Sequence, residues 1–116
     1  MVRDNPYPHI IWDNFIDAKT LGFVKDEFPT EESGFWTWKS NDTNSIKYMC
    51  QDQFLIEKLP NINKLIKYLN SSYFCSILSS IFKIPKLVSD GDLAGGGLHM
   101  IGNGGFLKVH ADFNQS

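Results

Sequence analysis

The sequence lacks a basic block. Its 11 Lys and Arg and 13 Asp and Glu are scattered along the chain and leave a formal net charge of -2. Without a basic stripe or patch there is no electrostatic footprint for nucleic acid, and none is expected as a partner. Cysteine is scarce. Cys50 and Cys75 stand far apart and in no C-x-x-C arrangement, which argues against a zinc knuckle and against a disulfide framework. The opening "MVRDNPYPHIIWDNF" carries prolines and charges where a secretory signal needs an apolar run. No stretch is long and apolar enough to span a bilayer, so no membrane partner is expected. The default is a soluble, cytoplasmic protein in a reducing compartment. Three N-x-[S/T] sequons, at Asn41, Asn70 and Asn114, then read as chance matches. Internal repeats and linkers are also missing.

What is there suits one folded domain spanning residues 1–116. Hydrophobic residues make up 42% and aromatics 14%, enough to build a core. "PYPHIIWDNF" predicts a short strand over residues 9–12, entered through prolines that favour extended backbone. Asp17 is placed to cap a helix with Leu21, Val24 and Phe28 on one face, stopped by Pro29. Trp36 and Trp38 alternate with polar residues as a strand would, and "KSNDTNS" reads as a loop before "IKYMC". Ile62, Leu65, Ile66 and Leu69 recur at helical spacing, with Asn61 as the expected cap. Phe74, Ile77, Leu78 and Ile81 repeat the pattern, capped by Ser71 or Ser72 and closed before Pro85. Both stripes read as core.

After Pro85 the helical period disappears and glycine accumulates. A Walker loop is excluded because no Gly-Lys-[Ser/Thr] ending occurs. A dinucleotide fingerprint is excluded because Gly102 and Gly104 are followed by Leu107 and by a strand pattern. The glycines at 95–97 fit a bend or a close backbone approach at a strand start. Asn103-Gly104 predicts a type I′ hairpin turn, with one strand over about 96–101 and the next over about 106–113. Helices first and antiparallel strands last predict an α+β fold.

Along the second of those strands, Phe106, Lys108, His110 and Asp112 share one face. Leu107, Val109, Ala111 and Phe113 share the other, which is wholly apolar and expected to pack on a core. Imidazole and carboxylate side by side offer two adjacent positions to a first-row divalent metal. A further histidine would complete a 2-His-1-carboxylate triad that leaves positions open. By itself the tripeptide is weak, since chance yields about one in four chains of this composition.

Its setting is more specific. "GGGLHMIGNGGFLKVHADFN" resembles the iron-site strand region of Fe(II)/2-oxoglutarate-dependent oxygenases, in particular the prolyl-hydroxylase-like branch. "PYPHIIWDNFID" and "SYFCSILSSIFKIPKLVSDGDLAGGGLH" are similar to that family's N-terminal strand and helices, so the resemblance covers most of the chain. It implies a double-stranded β-helix, or jelly roll, with supporting helices. It implies His110 and Asp112 as metal ligands, Fe(II) as cofactor and 2-oxoglutarate as co-substrate. The implied reaction couples decarboxylation of 2-oxoglutarate to hydroxylation of a protein or small-molecule substrate. His99, across the hairpin, is either a cavity-facing contact to co-substrate or substrate or an ordinary satisfied strand residue, and His9 is expected to be structural or solvent-exposed.

The family's second histidine ligand and its basic residue for 2-oxoglutarate lie on later strands and have no counterpart here. The expectation is therefore an apparently truncated or split oxygenase polypeptide, with a downstream polypeptide completing the fold. On its own such a chain is a poor catalyst or none. The alternative is a non-catalytic remnant or binding module of the same fold.

Overall fold

The computed structural model describes residues 2–40, 46–93, 96–107 and 109. Among them the chain forms four helices and a three-stranded antiparallel sheet, an α+β arrangement. Helix α1 (Ala18–Glu27) starts where Asp17 accepts the Thr20 amide at 3.1 Å and the Thr20 hydroxyl at 2.7 Å. It ends at extended Phe28, just before buried Pro29. Strands β1 (Trp38–Lys39) and β2 (Lys47–Cys50) follow, then the single-turn helix α2 (Gln53–Ile56), capped by Asp52. Helices α3 (Pro60–Leu69) and α4 (Ser72–Phe82) come next, and β3 (Leu98–Ile101) closes the described elements.

Helices and strands therefore interleave, which corrects the expected order: β1 and β2 precede three of the four helices. The sheet order is β1-β2-β3. The register pairs Tyr48 with Met100 and Cys50 with Leu98 on the inner face, and Met49 with His99 and Lys47 with Ile101 on the outer face. Trp38 pairs with Met49 and extends the outer row. Tyr48, Cys50 and Leu98 are buried, and together with Ile56 of α2 and Ile62 of α3 they make the core. The expected strand over residues 9–12 is reduced to one antiparallel bridge, Arg3 with His9. Its prolines and exposed Ile11 and Trp12 leave no second ladder to join.

The expected cap of α3 also needs correction. Its N-cap is Leu59, which offers no side-chain acceptor, and Pro60 sits in the first turn where a missing N–H costs nothing. The acceptor comes instead from the end of α1. Glu27 takes the Asn61 amide at 2.8 Å and the Ile62 amide at 3.1 Å, and it also accepts from the Asn61 side chain. Partial burial pushes the Glu27 carboxyl up, but those hydrogen bonds outweigh it and hold the group below its ordinary range. Helix α4 is capped by Ser71, whose hydroxyl oxygen accepts the Phe74 amide at 3.1 Å, and it ends on left-handed Lys83. Its apolar stripe is only half covered, and α1 and α4 hold no fully buried residue.

A strap, residues 29–37, binds helix to sheet. The Tyr48 hydroxyl donates to Glu31 at 2.6 Å, the Trp36 indole donates to the Thr30 carbonyl at 3.0 Å, and the Trp36 ring lies 6.1 Å from the Tyr48 ring. The link from α4 back to the sheet is pinned by Asn70, which donates to the Asp90 carbonyl at 2.8 Å. Gln53 donates to the Gly91 carbonyl nearby.

The accessible area is 9208 Å². A folded monomer of 13.2 kDa exposes roughly 6,400 Å². The radius of gyration is 16.3 Å, where about 13 Å is typical for this length. The core is therefore small for the apolar content, and many large side chains, Phe54, Tyr73 and Val88 among them, stay exposed. No helix among the described residues is long and apolar enough to cross a membrane.

Candidate functional site

The glycine-rich segment is where the sequence points to chemistry. Gly97 takes φ +97, and a Cβ there would come within 2.3 Å of the Cys50 carbonyl oxygen. The close backbone approach expected at this strand start is thus real: only glycine lets the chain enter β3 against the end of β2. Beyond β3, Gly102 donates to the Ile46 carbonyl at 2.8 Å and prolongs the ladder. Gly105 donates to the Gly102 carbonyl at 2.8 Å, closing a four-residue turn at the expected position. Of its two central residues only Gly104 has positive φ, +82. That is the pattern of a type II turn and not of the expected type I′.

The turn does not hand β3 a hairpin partner among the described residues. Residues 105–107 form no strand, and β3 pairs with β2 instead. The two described residues of the expected apolar face are open to solvent: Leu107 is 56% exposed and Val109 is fully exposed. The expectation that this face packs on a core is not met at these two positions, because nothing among the described residues covers them. His110 and Asp112, the expected ligands, lie outside the described residues, as does Lys108.

His99 is described. It stands on the outer face of β3, opposite Met49, in a cross-strand row that ends in Trp38. Its ring is exposed, and Nε2 lies 3.3 Å from the Gly96 carbonyl. With the proton on Nε2 that contact is a hydrogen bond, and Nδ1 keeps a lone pair directed elsewhere. His9 sits apart from the sheet in the N-terminal bridge. Its Nδ1 lies 2.8 Å from the Tyr7 carbonyl and its ring stands edge-on to Tyr7, a structural role. Among the described residues no group of three or more His, Cys, Asp or Glu is arranged to hold a metal.

The sequence reading missed a second feature. A cleft of about 520 Å³ opens between α1 and α3, walled by Phe15, Phe23, Leu65 and Tyr68 and rimmed by Lys19 and Lys64. Neither His9 nor His99 touches it. The signal was available: Lys19 and Phe23, and Lys64 and Tyr68, stand four apart and so share a face on each helix. Of these two helices, the apolar stripe of α3 reads from sequence as core. A comparison with protein-family models, with curated proteins and with solved structures found no match for the chain.

Proposed function

We propose that the chain is an Fe(II)- and 2-oxoglutarate-dependent oxygenase polypeptide carrying the first two metal ligands, His110 and Asp112, on the opening strands of a jelly roll. The observation that carries this reading is the H-A-D-F-N sequence directly behind the glycine turn. Three features support it. The α+β architecture provides helices and an antiparallel sheet. The 102–105 turn redirects the chain immediately before the ligand residues. The sheet's outer face, with Trp38 and Ile101 each about half exposed, is left for a second layer to cover.

The donor set suits the ion. Neutral imidazole and carboxylate fit Fe(II) and leave room for a bidentate co-substrate. Bound iron and 2-oxoglutarate would supply the oxidising chemistry for hydroxylation. The chain's own part is to orient two ligands from one strand and to offer His99 on the face beside them. The third ligand and the basic anchor for 2-oxoglutarate belong to polypeptide completing the fold, which is the partner this reading requires.

An anaerobic Fe(II) titration tests the proposal. Asp112→Ala should weaken iron binding by at least about tenfold at unchanged helical content, since one of few ligands is gone. Unchanged affinity would sink it. A second reading, a non-catalytic binding module of the same fold, is favoured by the way His99 directs Nε2 at the Gly96 carbonyl. In that case wild-type iron affinity is weak, and addition of 2-oxoglutarate does not raise it.

A further inference from the structure

We infer that the α1–α3 cleft is a binding site for a small amphipathic organic anion, one with an apolar body and a single anionic head. Its volume, about 520 Å³, lies in the range of small-molecule sites. Its walls come from two helices that each present a lysine one turn before an aromatic residue. Lys19 stands one turn before Phe23 on α1, and Lys64 stands one turn before Tyr68 on α3. The two ammonium groups rim the same cleft, and among the described residues Lys64 has no ion pair or hydrogen bond.

The polar groups beside them are already engaged. Asp17 also lines the cleft, but both of its oxygens accept from Thr20, whose hydrogen bonds hold the carboxyl below its ordinary range. The Asn61 amide groups are turned toward Glu27. Asp17 keeps its negative charge and offsets part of the Lys19 charge, so two cations stand against one carboxylate and leave a net positive rim that an anion satisfies. Phe15 extends the apolar wall toward the Trp12 ring, 4.7 Å away, and the Phe74 ring, 5.7 Å away. This aromatic floor suits a flat or aliphatic body. The cleft lining includes neither of the proposed iron ligands, and the inference does not depend on them.

The test uses 2-naphthoate as the anionic probe and 2-naphthylmethanol as its uncharged counterpart, each titrated into the full chain and followed by amide NMR shifts. The expected result is saturable binding of naphthoate with shifts on α1 and α3. In the Lys19→Met and Lys64→Met double variant, naphthoate affinity should fall about tenfold while that for naphthylmethanol is unchanged. Both lysines are exposed, so the variant keeps its fold, which an unchanged thermal midpoint verifies. Equal naphthoate affinity in wild type and variant overturns the inference. So do shifts confined to the sheet, or binding of anionic phosphatidylglycerol vesicles without binding of free naphthoate.

Discussion

The helices and the sheet of this chain are held together in different ways. Helices α1 and α4 carry side-chain caps, Asp17 and Ser71, within their own stretch of sequence, yet neither buries a single residue fully. Strands β2 and β3 are four residues each and carry no such local signals. They nevertheless supply Tyr48, Cys50 and Leu98 of a five-residue core. Local order and burial are thus separated. The elements that can start on their own contribute least to the packed interior. The elements that make the interior exist only when residues far apart in sequence meet. Helix α3 stands between the two cases. It buries Ile62, and its first turn is completed by a carboxylate from another helix.

The comparison can be broken at the sheet first. Gly97→Ala should cost on the order of 3 kcal/mol or more, because the new Cβ meets the Cys50 carbonyl and the backbone is held at positive φ. Urea denaturation reads this directly. A small effect would mean that the β2–β3 junction is loose and that the core does not depend on it. Next comes the point where helix meets core. Ile56→Ala should cost about 2–5 kcal/mol, whereas Phe54→Ala, two residues away and 82% exposed, should stay within about 0.5 kcal/mol. Equal costs would show that α2 is not seated as described.

The smallest effect falls on the joint between α1 and α3. Glu27→Gln should cost about 1 kcal/mol through a weaker cap. The pH dependence has a definite sign. A carboxyl whose folded value is depressed contributes fully above its ordinary value of 4.5 and loses that contribution as pH falls through the lower folded value. The acid limb of thermal stability should therefore be shallower in Glu27→Gln than in wild type. Identical limbs would remove Glu27 as the coupling between the two helices.

Much of the helical layer was legible. Asp17 before Leu21 and Val24, and Ser71 before Phe74, are signals written within four residues, and the structure places helix starts at both. The cap of α3 was not legible. Asn61 looked suitable by its type, but the acceptor is Glu27, which is remote in sequence and adjacent only after α1 and α3 pack. The turn at 102–105 was legible in position from its glycines, while its type was not, since Asn103 keeps a negative φ and only Gly104 is positive. Of the candidate site residues, His99, a candidate contact to co-substrate or substrate, lies on the expected strand, and its outward face follows from strand alternation. His110 and Asp112 rest on sequence alone.

The sequence by itself determined the helix faces and two of the three long helix starts, the glycine turn, and the α+β character, because each depends on backbone preferences and periodicities within a few residues. Only the tertiary structure decided that β3 pairs with β2. It alone turned a glutamate into the cap of a distant helix and left a lysine-rimmed cleft between α1 and α3, although the α3 stripe reads as ordinary core. Those outcomes depend on which surfaces meet, and the free energy of such a meeting comes from burial and long-range hydrogen bonds that no short stretch of chain contains.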